Sequence, residues 1–321
     1  MITNLNSENK CLPAKAVLFP GQGAQRYGMG LDFLEKFKEA RDVFEIAEKI
    51  LPFNVLKLFR EETDELHQTE YTQPCLLTVE IAIYEVLKAH YGLAPSYFGG
   101  HSLGEYTALV AAGVIPLEAA LEIVHYRGKS MQEATPRNYG SMAALIMNDL
   151  PLNRFQEDAH SFSIDIANDN SKSQIVTSGE TSALNEFCTF LRSIYEEKIK
   201  IIPLAVSAPF HSRHMKTIAD RFTAFLDSKK NRFNKTNLDR VLSNQAGTLH
   251  GKSIEDLISS LTQQVYSRVR WQENMKTLLE KTNSILEIGP NNILSRFLNS
   301  FGVSPYFISD LRTLQRTLRA L

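Results

Sequence analysis

A serine flanked by glycines, set between a strand and a helix, constrains this chain more than any other feature. Ser96 to Gly99 reads as a short strand that runs straight into Gly100-His101-Ser102-Leu103-Gly104-Glu105-Tyr106. The Ala-rich stretch Thr107 to Ala112 reads as a helix ended by Gly113, and Pro116 suits the first turn of another helix reaching about Gln132. Strand, glycine turn and helix in this order imply a parallel α/β sheet. Other segments fit it. Ala16-Val17-Leu18-Phe19 reads as a buried strand stopped by Pro20-Gly21, and Ser284 to Ile288 as a strand stopped by Gly289-Pro290. Leu76 to Tyr91 is apolar at helical spacing, with Gly92 as its C-cap.

The texture changes after Thr135-Pro136-Arg137-Asn138. Ser141 to Met147, Phe162 to Ile166, Gln174 to Ser178 and Lys198 to Ile202 read as strands, and Ala183 to Ile194 as an amphipathic helix. The expected architecture is therefore a large α/β domain with a parallel sheet and a hydrolase-like nucleophile turn, formed by residues 1–134 and 205–321. A small ferredoxin-like α+β insertion occupies residues 135–204. Residues 1–14 read as a loose tail, and Lys229, Lys230, Arg232 and Lys235 as a solvated loop.

Composition excludes several function classes. Lys plus Arg number 35 against 36 Asp plus Glu, so there is no basic excess of the kind a dedicated nucleic-acid binder shows. The polar start MITNLNSENKCLPAK has no apolar signal region, and no apolar run approaches a membrane span. Cys11, Cys75 and Cys188 are far apart and form no metal or redox spacing, which reads as reduced thiols in a cytoplasmic protein. Cys75, at the start of an apolar helix, is expected in the core.

The serine turn carries the chemistry. G-x-S-x-G on a sharp strand-to-helix turn pushes the serine hydroxyl clear of the backbone, and the flanking glycines remove side chains that would clash there. The Leu103 N–H then lies at a helix N-terminus, where an oxyanion is favoured. The pattern alone also admits a structural turn with an idle serine. Ser102 needs a base. His101 should project elsewhere from the turn. His211, in Val206-Ser207-Ala208-Pro209-Phe210-His211-Ser212, is the better candidate, with His214 left open. Pro20-Gly21-Gln22-Gly23-Ala24-Gln25 lacks a P-loop ending, so it is either a tight turn or a backbone donor loop aimed at the serine. Arg127 falls late on the helix after Pro116. It is either a surface ion-pair partner or a planar clamp for a substrate carboxylate.

Together these stretches resemble the malonyl-CoA:acyl carrier protein transacylase family. The matching segments, in the family's order, are LFPGQGAQ (18–25), TQP (72–74), GHSLGEY (100–106), RGKSMQEA (127–134), GSMAAL (140–145), VSAPFHS (206–212) and EIGP (287–290). The resemblance implies transfer of a malonyl group from malonyl-CoA to the phosphopantetheine thiol of an acyl carrier protein. It makes Ser102 the acylated nucleophile and His211 its base, oriented by a main-chain carbonyl at Gln264. Backbone N–H groups of Gln22 and Leu103 form the oxyanion hole, and Arg127 partners the malonyl carboxylate. Asn168 and Asn170 border the cleft, where turn-forming roles remain open. Phe210, a bulky aromatic before the histidine, suggests an unbranched malonyl unit.

No metal and no bound cofactor are implied, malonyl-CoA being the substrate, and a monomer is expected. Lys198, Lys200, Arg213, Arg268 and Arg270 are candidates for a basic rim facing an acidic carrier. The chain departs from the family at Pro209 and at Asn291-Asn292, where relatives often have Gly-Lys. The rival readings are an acyl-thioester hydrolase on the same fold, an ordinary α/β-hydrolase esterase, and a non-catalytic carrier-docking subunit. The esterase lacks support, because no HGGG-type loop is present.

Overall fold

In the computed structural model, which describes residues 11–321, β1 (Ala16–Phe19), β2 (Tyr97–Gly100), β9 (Ile285–Ile288) and β10 (Tyr306–Ile308) form one sheet. Its order is β10-β9-β1-β2 and every pair is parallel. β1 and β9 are buried at every position, as a parallel strand covered on both faces must be. The helix Thr69–Tyr91 packs beneath the serine turn and ends at Gly92. It begins before Leu76, and the added Thr69, Thr72 and Gln73 are buried. These polar residues hid the first turns from hydropathy, and two of them face the site. The helices Leu103–Ala111 and Leu117–Gln132 follow, the second at its expected place after Pro116.

A second sheet is antiparallel: β3 (Gly140–Ile146), β4 (Asp165–Ser171), β5 (Gln174–Glu180) and β6 (Lys200–Pro203), in the order β4-β5-β3-β6. With the helices Leu152–Ser161 and Thr181–Tyr195 after β3 and β5, this is the ferredoxin-like arrangement, with its own core around Leu145, Phe155, Phe187 and Leu191.

Several local expectations are corrected. The strand expected at 162–166 begins only at Asp165, because Phe162 and Ser163 close the helix before it, Ser163 with φ 58°. β4 then continues through Asn168-Asp169-Asn170-Ser171, all buried. Residues 1–10 of the expected tail lie outside the described residues. The rest of it is anchored: Leu12 and Ala14 are buried, and the Leu12 N–H donates to Tyr91 O at 2.9 Å. Cys75 is buried, as expected. In the cationic stretch 229–235, Lys229 ends a helix and pairs with Glu122, which Arg232 also approaches at 3.4 Å, while Lys230, Arg232 and Lys235 are exposed. Among the described residues no helix is long and apolar enough to cross a membrane.

A hairpin of β7 (Leu242–Ser243) and β8 (Thr248–Leu249) abuts β2 through a bridge between Phe98 and Val241. It lies behind the serine turn.

Candidate active site

The serine turn is built by close backbone packing. A Cβ on Gly104 would lie 2.1 Å from Phe19 O, and one on Gly21 would lie 2.3 Å from His101 O. Only glycine lets the first helical turn and the Pro20-Gly21-Gln22 loop approach β1 and β2 this closely. Ser102 takes φ 53° and ψ −100°, a conformation costing about 1–3 kcal/mol that persists only where surroundings over-determine it. Asn244 supplies much of that constraint. Its Oδ1 accepts the Ser102 N–H at 2.6 Å and its Nδ2 donates to Gly100 O at 2.8 Å. The turn's own bonds run from Gly104 N–H to His101 O and from Glu105 N–H to Ser102 O, which leaves the Leu103 N–H uncommitted among the described residues.

His211 Nε2 lies 2.7 Å from Ser102 Oγ. Its Nδ1 lies 2.8 Å from Gln264 O. A carbonyl can only accept, so Nδ1 carries the proton and Nε2 is free to take the serine's. His211 is buried, with φ 55°, and its pKa is pushed down to about 3. Burial is the main cause and the Arg127 charge adds to it, against the stabilising Gln264 carbonyl. The imidazole is therefore neutral and competent as a base at ordinary pH. His214 stands apart, 3.5 Å from Tyr139 OH. His101 turns away from the hydroxyl. Its Nε2 meets Asn170 Oδ1 at 2.8 Å, its ring packs against Trp271, and burial lowers its pKa to about 4.

Arg127 is 1% exposed, far from the surface ion pair that its type usually forms. Its Nη1 donates to Gln73 Oε1 at 2.8 Å, and its Nη2 to Gln264 Oε1 at 2.8 Å and Ser102 Oγ at 3.1 Å. The guanidinium also stacks over Tyr106, 5.2 Å from the ring centroid. These hydrogen-bond partners are neutral, so a buried cation sits beside the Ser102 hydroxyl without a hydrogen-bonded carboxylate among the described residues.

Ser102, His211 and Arg127 open into a cavity of about 100 Å³, lined also by Gln22, Leu103, Asn168, Phe210 and apolar Met131, Met142, Leu204 and Val206. This volume suits a short acyl group. Gln22 is held by its side chain, whose Nε2 donates to Thr69 Oγ1 at 3.1 Å. Phe210 is 6% exposed and forms part of the wall. Asn168 and Gln22 also line a neighbouring cleft of about 420 Å³ with Asn170, Ser171, Ser173 and Gln174. The structure thus brings Ser102, His211, Arg127, Gln22, Leu103, Phe210 and Asn168 around one space, with Gln264 behind it, bonded to His211, Arg127 and the Ser102 carbonyl. Sequence reasoning missed Gln73, Glu105 and Asn244. Of these, Gln73 lies within the TQP segment and Glu105 within the serine motif, whereas Asn244 carried no signal.

Among the described residues no cluster of three or more His, Cys, Asp or Glu side chains is placed to hold a metal. Of the proposed rim cations, Arg213 is tied to Asp165 at 2.7 Å and Arg270 to Glu273 at 2.9 Å, with Arg268 3.9 Å from the same glutamate.

Comparison with known proteins agrees with this geometry. The acyl transferase domain profile matches residues 17–299. A malonyl CoA-acyl carrier protein transacylase of Staphylococcus aureus (strain MSSA476) is 36% identical over 287 residues, covering 87% of this chain and 90% of that protein. The crystal structure of the Clostridium perfringens malonyl CoA-acyl carrier protein transacylase superposes with a TM-score of 0.88 at 32% identity, over 95% of this chain and 96% of that one. A malonyl-transacylase solved in complex with its type II PKS acyl-carrier protein also superposes with a TM-score of 0.88 at 32% identity, over 95% of this chain and 99% of that one. With a matching profile across most of its length, and a buried arginine beside a Ser–His pair, this chain belongs to the malonyl-CoA:acyl carrier protein transacylase family of acyltransferases.

Proposed function

We propose that this chain moves a malonyl group from malonyl-CoA to the phosphopantetheine thiol of an acyl carrier protein, by way of a Ser102 ester. The carrying observation is the Arg127 guanidinium, buried and 3.1 Å from the Ser102 hydroxyl. An acyl group attacked at Ser102 and bearing a carboxylate one carbon beyond its carbonyl would place that carboxylate on Arg127. A planar guanidinium can hold it with two parallel charge-assisted bonds. Neutral acyl groups gain nothing there.

In the first half-reaction His211 Nε2 takes the Ser102 proton as Oγ attacks the thioester carbonyl. The Gln22 and Leu103 N–H groups receive the oxyanion, a contribution that is often the largest electrostatic one. The C–S bond breaks, CoA sulfur takes the proton from His211, and malonyl remains as the ester. In the second, His211 takes the proton of the carrier thiol and the sulfur attacks the ester carbonyl. The C–O bond breaks, and Ser102 Oγ recovers the proton. The amide-lined cleft beside the cavity suits the amide groups of a pantetheine arm. A groove of about 810 Å³ also reaches His211; Arg213, Lys216 and Arg268 line it together with Glu157 and Asp165, and Arg213 is already paired with Asp165, so Lys216 is the cation there best placed to meet an acidic carrier. No bound cofactor takes part.

The chain acts as a monomer in this reading. The free thiols of Cys11, Cys75 and Cys188 fit a reducing cytoplasm. Intact-protein mass measurement after mixing with malonyl-CoA should show one malonyl adduct, absent in Ser102→Ala. An adduct persisting in that variant would reject the assigned nucleophile.

A further inference from the structure

Behind the nucleophile turn lies a buried polar chain that the transfer mechanism does not itself use. Glu105, on the first turn of the helix after Ser102, is 0% exposed and its carboxylate receives donors on both oxygens. Oε2 accepts the Asn244 N–H at 3.0 Å and Gln264 Nε2 at 2.7 Å. His250 Nε2 lies 2.8 Å from Oε1. The His250 side chain is 3% exposed. It stands just after β8, where its N–H donates to Val241 O at 2.8 Å and so prolongs the hairpin ladder. One hairpin thus braces the turn twice, through Asn244 on the Ser102 backbone and through His250 on Glu105.

Gln264 converts that brace into substrate-site geometry. Its Nε2 donates to Glu105 Oε2 and, at 2.9 Å, to Ser102 O. With both amide hydrogens committed to oxygens, Oε1 must face Arg127 Nη2, at 2.8 Å. A flipped amide would turn Nε2 toward the guanidinium and Oε1 toward a carboxylate and a carbonyl, opposing like partners at both ends. The same residue's main-chain oxygen receives His211 Nδ1. Glu105 therefore sets which end of Gln264 meets Arg127, and the donor on the far oxygen of Glu105 sets its rotamer. Without it a buried acceptor is left unsatisfied, and only the two donors on Oε2 still hold the carboxylate.

We propose that His250 is a positioning residue for the malonyl-transfer site: as an Nε2–H donor it holds Glu105, and through Glu105 and Gln264 it fixes Arg127. The inference rests on the malonyl-transfer reading. Its test compares kcat/KM for malonyl-CoA and acetyl-CoA, each with a carrier-protein thiol, in the wild type, His250→Leu and His250→Gln. A wild type without malonyl preference would defeat the transfer reading itself, whatever His250 does. Given that preference, His250→Leu should lower the malonyl-to-acetyl ratio about tenfold through a raised KM for malonyl-CoA, the scale of one hydrogen bond to a buried charge. His250→Gln, which offers an N–H at similar reach, should restore most of the ratio. A purely structural residue would lower the melting temperature of the leucine variant and leave the ratio of its folded fraction unchanged, which would overturn the proposal. Should the leucine variant not fold, nitrogen-15 NMR of histidine-labelled wild type decides. A proton on His250 Nε2 protected from exchange is required, and an unprotonated Nε2 overturns the assignment.

Discussion

Replacing Arg127 with methionine separates the charge of the guanidinium from the volume of its side chain. The cation is 1% exposed, and its hydrogen-bond acceptors are the neutral oxygens of Gln73, Gln264 and Ser102. Arg127 Nε has no partner among the described residues. A malonyl carboxylate would meet a desolvated charge with spare donors. Removing one partner of such a buried pair costs about 3–5 kcal/mol, which is roughly 10²–10⁴-fold in kcat/KM. Acetyl-CoA has no carboxylate to strand, so its transfer should hold or rise. It gains further because the Arg127 charge is one of the causes that depress the His211 pKa. The assay is carrier-protein acylation with each thioester, in wild type and Arg127→Met, read as the ratio of the two kcat/KM values. The ratio is insensitive to the folded fraction. This matters because the variant leaves two buried amide oxygens without donors, at about 1–3 kcal/mol each. An Arg127→Met protein that keeps its malonyl-over-acetyl preference would refute the role of this charge.

With the His211 pKa lowered to about 3, the base stays neutral as pH falls through the usual histidine range, so the acylation rate should hold from pH 7 to pH 5; rapid-quench measurement of the acyl-enzyme checks this, and an acid limb near pH 6.5 would contradict it. Phe210 walls the acyl cavity, so Phe210→Ala should raise methylmalonyl transfer relative to malonyl about tenfold or more, since a methyl group is worth about 1–3 kcal/mol in a pocket; competition between the two CoA thioesters measures it. Glu80 is 0% exposed with Thr107 Oγ1 donating to it at 2.6 Å, and burial raises its pKa well above the usual carboxylate value. Its stabilising contribution is present below the unfolded-state pKa and is lost as pH rises through the folded one. Glu80→Gln should therefore raise the melting temperature at pH 8 by more than at pH 4; equal shifts at both would refute that account.

The serine turn was legible because its signals are local. Strand, glycines, serine and helix lie within about twenty residues, and each element follows from its own composition. β1 and β9 were legible for the same reason, as apolar runs cut by Pro-Gly and Gly-Pro. β4 was placed too early, because a strand through Asn168-Asp169-Asn170-Ser171 has no apolar signature. Those side chains are buried against partners such as His101 and Gln272 instead of a hydrocarbon core. The helix Leu152–Ser161 has no clear position in the sequence pattern, as it buries only Phe155 and Ala159. Residues 11–14 read as tail because what covers Leu12 comes from Tyr91 and its neighbours, far along the chain.

A nucleophilic serine on a parallel sheet can be read from the residue order alone, which also offers Arg127 and two histidines as its partners. The folded chain chooses between His211 and His214, setting one 2.7 Å from Ser102 Oγ and the other beside Tyr139. It alone moved Arg127 from a common surface role to a buried one and recruited Gln73, Asn244 and Glu105, spread over more than 170 positions of the chain. The physical reason is that turns and helices follow from neighbours in sequence, whereas burial and the pairing of a charge depend on which distant segments arrive beside it. A polar residue looks the same in a sequence whether water or protein satisfies it.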